Sequence, residues 1–404
     1  MRSLLARRTP ALVTAALVAS SVALLAVSAC SSDVELAAAD PPRGDAATPD
    51  PPSPSPDAAA DGGDAGLDAD TPARTCTDDG FCHLPLPAPL PLRGVWGDGA
   101  GAVWAVSADG AVVRWDGASW ATHVTLKGPL HAIWGSGPTD VWIGGEGGLF
   151  HGEGTSPDQL AFTPVALERA LPITSIHGSG PDDVWAVGGR SDFDHEESHV
   201  LHYAGPTADP ADAWRVDPLS GRVAELSRVW GATPDGVWIG GTTLLGEPQG
   251  AVLVRGRADG DGGMTFEDVP LTNTSGRFRF ITGGAVRSDL FVVGRYWSGI
   301  GAAWSGPIGD AGDAGRVWDD TTFDTYFGLN ALWAVADDDV WIVGELGRVR
   351  HWDGATWTLP SVTITKFPLA NDLHAIWGDA KGVLWIVGDG VAMRRDPALV
   401  KGGT

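Results

Sequence analysis

Short apolar runs dominate the chain from residue 81 onward, and they come in pairs separated by turn-forming residues. The fullest instance is His131-Ala132-Ile133-Trp134-Gly135-Ser136-Gly137-Pro138-Thr139-Asp140-Val141-Trp142-Ile143-Gly144-Gly145. Two apolar runs around a Gly/Pro/Thr/Asp cluster are the pattern of a β-hairpin. It recurs seven times between residues 96 and 385. In five copies one aromatic stands eight positions after another: Trp96 and Trp104, Trp134 and Trp142, Trp230 and Trp238, Trp333 and Trp341, Trp377 and Trp385. In the other two copies His177 precedes Trp185 and Gly283 precedes Phe291. The first aromatic is therefore replaceable, whereas the second persists and is expected to plug the core.

A third apolar run follows each hairpin, as in Ala111-Val112-Val113-Arg114-Trp115 and Gly347-Arg348-Val349-Arg350-His351-Trp352, and a fourth often opens with an aromatic. Asp116-Gly117 and Asp353-Gly354 stand between third and fourth runs and predict tight primed turns, because both residue types tolerate positive φ. Second-run anchors lie about 38 to 53 residues apart. Four strands per unit at that period predict an all-β fold, a seven-bladed β-propeller of four-stranded antiparallel blades. No stretch of the repeats carries a helical apolar period.

The last unit supplies only three runs, ending in Val391-Ala392-Met393-Arg394. Phe81-Cys82-His83-Leu84-Pro85-Leu86-Pro87 stands just before the first hairpin, where other units carry their fourth run. This N-terminal segment is predicted to complete the last blade as its outer strand, where prolines are tolerated on the unpaired edge. All nineteen tryptophans lie in the repeats. Each can remove roughly 150 to 250 Å² from water, so packing between blades is their expected role.

Ahead of the repeats, Arg2, Arg7 and Arg8 precede an apolar run from Ala11 to Val27, the pattern of an export signal. The run ends in Val27-Ser28-Ala29-Cys30, which resembles a lipobox and implies acylation of Cys30. The chain thus divides into a lipoprotein-type signal peptide (residues 1–29), an Ala/Asp/Pro/Gly-rich disordered tether (30–75) and the propeller (76–404). An exported, lipid-anchored protein at the outer membrane or cell surface is expected. Cys76 and Cys82 then form an even pair in an oxidising compartment, and a disulfide is predicted. The net charge of −24 disfavours nucleic acid and anionic lipid, leaving the anchor as the membrane contact and a protein or glycan as partner. A monomer is expected.

One motif invites chemistry. His195-Glu196-Glu197-Ser198-His199 fits H-E-x-x-H, in which two histidines one helical turn apart bind zinc. Val200-Leu201-His202-Tyr203 follows directly as a strand, so a zinc helix does not fit, and His195 and His199 remain metal candidates only in a loop. The Asp-Gly clusters Asp259-Gly260-Asp261-Gly262-Gly263 and Gly309-Asp310-Ala311-Gly312-Asp313 lack the spacing of a calcium loop. No cofactor is therefore expected, a divalent metal ion being the alternative. Connections between second and third strands lengthen in units three (residues 190–198), four (242–250) and five (295–300). An acidic rim of Asp192, Asp194, Glu196, Glu197, Tyr296 and Trp297 is the candidate binding surface, since loops on a rigid scaffold carry function. No catalytic residue is assigned.

In Gly382-Val383-Leu384-Trp385-Ile386-Val387-Gly388 and Ala102-Val103-Trp104-Ala105-Val106 the repeat resembles that of bacterial regulator-type propellers. Trp115-Asp116-Gly117-Ala118-Ser119-Trp120 and Trp352-Asp353-Gly354-Ala355-Thr356-Trp357 are similar to the Asp-box turns of sialidase-like propellers, each one residue short of S-x-D-x-G-x-T-W. The whole chain also resembles the surface lipoproteins of predatory, soil-dwelling δ-type bacteria. The resemblance covers about residues 81–397 and implies fold, not activity: no R-I-P signature precedes the first box, so sialidase chemistry is not carried over. The expected function is a non-catalytic binding module for a protein or glycan. The alternative is an extracellular polysaccharide hydrolase or lyase using carboxylates on one face, with a cleavage pair about 5 to 9.5 Å apart.

Overall fold

The computed structural model describes residues 75–401 apart from residues 170, 192–195, 210–211, 234–235, 246–248, 260–262, 272–277, 287, 309–317 and 324–325. The expected signal, the tether and Cys30 lie outside the described residues. Seven antiparallel sheets of four strands each form from the repeats. Blade 1 runs from inside to outside through Leu92–Gly97, Val103–Ser107, Ala111–Trp115 and Trp120–Thr125, and blades 2 to 6 repeat that order. Blade 7 takes Leu373–Gly378, Leu384–Gly388 and Val391–Arg395, and its fourth strand is Phe81–His83, with Phe81 opposite Arg395. The inner strands pack side by side in sequence, and Leu373–Gly378 lies beside Leu92–Gly97. The ring is thus closed by the N-terminal strand, as the missing fourth run predicts. A disulfide joins Cys76 to Cys82 where the chain enters this blade.

The two aromatic positions have different jobs. Trp104, Trp142, Trp185, Trp238, Phe291, Trp341 and Trp385 are all buried, so the second position is the core plug. The residues opposite them on the third strands are Arg114, His151, His202, Arg255, Ser305, His351 and Arg394. In blades 2, 3 and 6 the imidazole stacks on the indole with ring centroids 3.6, 3.9 and 3.9 Å apart. Its Nε2 lies 2.5, 2.8 and 2.9 Å from Asp140, Asp183 and Asp339 respectively. Burial alone would raise these carboxyls. Hydrogen bonds from the histidines, joined by Ser136, Ser179 or Trp341, hold them below the ordinary carboxylate value. These His–Asp pairs have the parts of an acid–base dyad, yet their rings are spent on bracing a tryptophan.

The first position reaches across to the next blade. A β-carbon on Gly135 would lie 2.7 Å from the Trp96 ring, one on Gly178 2.6 Å from Trp134, and one on Gly283 2.4 Å from Trp230. At the seam a β-carbon on Gly97 would meet Trp377 at 2.7 Å. The recurrent Trp-Gly dipeptide therefore supplies both the ridge for one neighbour and the groove for the other. Gly135→Ala is expected to cost about 1–3 kcal/mol by overpacking, because the added methyl also sits 2.7 Å from the Asp140 carbonyl oxygen. Equilibrium denaturation checks this; an unchanged midpoint would remove the ridge-and-groove account.

Two local expectations change. In blade 5 Phe291 faces Gly284 instead of Gly283, because the hairpin turn there is one residue shorter. The links between third and fourth strands in blades 1 and 6 are four-residue turns between paired tryptophans, Trp115 with Trp120 and Trp352 with Trp357. They are not two-residue primed turns, because an aspartate replaces part of the backbone bonding. Asp116 Oδ1 accepts from the Ala118 and Ser119 amides at 2.8 and 2.7 Å, and Asp353 Oδ1 from Ala355 and Thr356 at 2.9 and 2.7 Å. The amides of Ser119 and Thr356 are the main reason both carboxyls stay below their usual value. Gly117 and Gly354 supply the positive φ, 103° and 89°.

Candidate functional site

Near its start, every inner strand skips one residue in its pairing with the second strand. The skipped residues are Arg93, His131, Thr174, Ser227, Ile281, Asn330 and His374, one per blade. A bulge re-aims a side chain that regular pleating would send to a blade face. All seven line one cavity of about 470 Å³, which makes it the mouth of the axial channel. Arg228, Arg279, Arg295, Glu225 and Glu345 line it as well.

Neighbouring inner strands are tied together here by side chains. Thr174 Oγ1 donates to the Ser227 carbonyl at 2.9 Å, and Asn330 Nδ2 donates to the Leu373 carbonyl at 2.8 Å. Three of the cationic or imidazole groups have acidic partners. Arg93 pairs with Asp389 at 2.6 Å, His131 with Glu146 at 3.0 Å, and His374 Nε2 lies 3.2 Å from Asp389, not aligned for a hydrogen bond. The arginines of blades 4 and 5 bond to carbonyls and rings instead. Arg228 donates to the Ser227 and Thr174 carbonyls at 3.0 and 3.4 Å, and Arg295 Nε to the Gly299 carbonyl at 2.9 Å, with a second bond to the Tyr326 carbonyl. The Arg279 guanidinium lies 5.8 Å from the centre of the Trp297 ring. Burial pushes the Glu225 carboxyl up, with Arg279 pulling it down and Glu196 pushing it further up.

The other face of the ring is different. Its turns carry Asp98, Asp116, Asp140, Asp183, Asp289, Asp339, Asp353 and Asp379. The chain enters the ring on that acidic face, at Cys76 to Phe81, where Asp396 and Lys401 meet it through the Gly80 and Asp78 carbonyls.

The acidic rim read from the sequence lies on the mouth side, since it is built from the connections between second and third strands. Asp192, Asp194 and His195 lie outside the described residues. Glu196 and Glu197 are not in a solvated loop: Asp183–Ser191 and Glu196–Tyr203 stay paired out to Ser191 opposite Glu196. Pairing continues past Gly189 because only a glycine can pass there, a β-carbon falling 2.0 Å from the Glu197 carbonyl oxygen. The Glu196 carboxylate accepts from Thr243 Oγ1 at 3.1 Å and from the Leu244 and Leu245 amides at 2.5 and 3.0 Å, so it fastens the blade 4 loop. Glu197 pairs with Arg169. Tyr296 turns inward onto Phe278 and Trp304, whereas Trp297 is 50% exposed. His199 is buried in a strand, and its burial makes the ring less basic; the helix a zincin pair needs is absent here. Among the described residues no cluster of three or more His, Cys, Asp or Glu could hold a metal ion.

The residues the sequence reading missed are the bulged ring and the arginines beside it. A signal was present. Arg93, His131, Thr174, Ser227, Asn330 and His374 are the polar residues three positions before the first aromatic site in otherwise apolar strands.

No protein-family model and no curated protein matches the chain. Among solved structures it is similar to Ycf48 bound to a D1 peptide, with a TM-score of 0.55 at 17% identity over 80% of this chain and 99% of that one. Ycf48 from Cyanidioschyzon merolae gives 0.59 at 14% identity, covering 79% and 99%. The WD40 propeller domain of Doa1 gives 0.52 at 13% identity, covering 78% and 97%. At such identities the likeness is one of fold: this chain is a seven-bladed propeller of the kind that Ycf48 and WD40 proteins build.

Proposed function

We propose that the protein is a lipid-anchored, extracytoplasmic interaction module that binds a protein through the channel-mouth face, without catalysis. The carrying observation is a local excess of arginine at the cavity. A chain with a net charge of −24 sets Arg93, Arg228, Arg279 and Arg295 against Glu225 and Glu345 around one cavity, while the turns of the other face carry a row of aspartates. Fields arranged in this way steer and orient a partner. Exposed Trp297, Tyr326 and Phe327 lie on the mouth side, and aromatic residues with arginine make up the usual anchors of an interface. The peptide-bound Ycf48 ring is a precedent in fold for a propeller that seats a peptide. In this reading Cys30 carries the lipid and residues 30–75 form the tether. The anchor would hold the protein at the outer membrane or cell surface.

Site-specific photo-crosslinking in exporting cells tests the reading. A photoreactive residue at position 297 should yield a discrete protein adduct, and one at position 118 on the acidic face should not. Adducts from neither position, or from 118 alone, would reject it. Release of reducing ends from a polysaccharide by the purified protein would favour the hydrolase or lyase alternative. Membrane association should disappear in Cys30→Ser.

A further inference from the structure

We infer that Arg228, Arg279 and Arg295 form an anion site for the carboxylates of an acidic peptide, an inference that rests on the protein-binding reading above. Arg279 and Arg295 are Cα partners on adjacent strands of blade 5. Like charges directly opposite one another destabilise a sheet, and among the described residues neither forms an ion pair. Their bonds run to the Gly299 and Tyr326 carbonyls and to the Trp297 ring, which fix the guanidinium groups without neutralising them. Arg228, from blade 4, lines the same cavity and is held by carbonyl groups. By contrast Arg93, on the far side of the mouth, is neutralised by Asp389. Glu225, on the same wall, offsets part of this charge through Arg279 and Arg228, so three guanidinium groups against one carboxyl leave an excess of positive charge at blades 4 and 5.

Guanidinium pairs of this kind match carboxylates, which take two parallel hydrogen bonds from the planar fork. The choice of a peptide over an acidic glycan follows from the aromatics. Sugars stack on open ring faces, and of the three mouth-side aromatics two are covered: Arg279 lies over Trp297 and Arg348 lies 3.8 Å from the centre of Phe327, which leaves Tyr326 alone. The apolar groups that remain open, Leu245 at 46% and Tyr326 at 69% exposure, suit side chains flanking an Asp or Glu. A cavity of about 470 Å³ admits a few such residues.

Fluorescence anisotropy on the purified protein tests this with a labelled octapeptide of alternating Leu and Glu, its Leu/Gln counterpart, and oligogalacturonate. The acidic peptide should bind and the Gln peptide should not. Arg279→Gln and Arg295→Gln should each weaken binding about tenfold or more, the value of a hydrogen bond to a charged group, with thermal midpoints no lower than wild type. Lys381→Gln, in a turn of the opposite face, should leave binding unchanged. Equal binding of both peptides, or binding indifferent to Arg279 and Arg295, overturns the site. Arginine-dependent binding of oligogalacturonate alone overturns the peptide assignment. If no peptide binds while crosslinks from position 297 persist, the anion site falls and the interaction reading stands; if both are lacking, both fall. Should a glutamine variant fail to fold, Arg279→Lys at low salt must retain part of the affinity, and complete loss there counts against the site.

Discussion

Trp341→Ala is expected to cost about 3–5 kcal/mol of unfolding free energy, the range for emptying a buried large aromatic site. Trp341 is 2% exposed and serves two blades at once. Within blade 6 its ring stacks on His351 and its Nε1 donates to Asp339 at 2.5 Å. Across the seam it meets the edge of Phe81 at 6.0 Å and lies 4.4 Å below the Arg395 guanidinium. Phe81 belongs to the closing strand, so the cavity would open where the ring is sealed. Interiors relax only partly around such a deletion, and a repeat ring offers no other surface to cover the gap. Denaturant titration should show the loss in Trp341→Ala and a smaller one in Trp341→Phe. Trp297→Ala, at an exposed position, should stay within about 0.5 kcal/mol. A loss below about 1 kcal/mol in Trp341→Ala would contradict the plug role of the second aromatic.

Lowering the pH from 6.5 to 4 is expected to cost stability through His177, by about 2–3 kcal/mol at one pKa unit per 1.36 kcal/mol. His177 stands where most blades carry an indole, packed against Trp134 and opposite Trp185. Its Nδ1 accepts the Ala232 amide at 3.3 Å, which a protonated ring cannot do. Burial brings its pKa from 6.5 down to about 4, with the nearby Asp183 opposing. The folded state thus binds fewer protons than the unfolded state between these values. The contribution is complete above pH 6.5 and is lost as the pH falls to about 4. Burial raises the carboxyls of Asp217, Glu225 and Asp289, which act in the opposite sense above pH 4. Asp140, Asp183 and Asp339 are lowered and withdraw their support only below it. The comparison with His177→Asn isolates the histidine, because Asn Oδ1 can still accept the Ala232 amide. Parallel stability curves for the two proteins between pH 6.5 and 4 would rule the effect out.

The aromatic spacing made the ring legible because a blade is written locally. Trp104 and its counterparts recur at one place in each hairpin, and burial of that place is the same in every copy. Phe81-Cys82-His83 was legible as the closing strand for the same reason: one unit lacked what the others had. The candidate site was legible only in its side of the ring and in exposed Trp297. Tyr296 shares the loop signature of Trp297 but pleats inward, and Glu196 looks like a free acid yet caps the next blade's loop. Neighbours in space decide such cases, and these neighbours lie about fifty residues away: Glu196 bonds Leu244 and Leu245, with separations of 48 and 49.

What the sequence by itself determined was the number of blades, the strands in each and the way the circle shuts, because alternation, turn residues and repeat period are properties of contiguous residues. The tertiary structure alone decided the functional face. Each bulge shifts pairing by a single residue, which hydropathy alternation does not register, and it turns Arg93, His131 and their counterparts toward a common axis. Packing of consecutive blades then sets Arg228 of one beside Arg279 and Arg295 of the next, so the arginine-rich mouth of an acidic protein is a product of tertiary packing, not of any local motif.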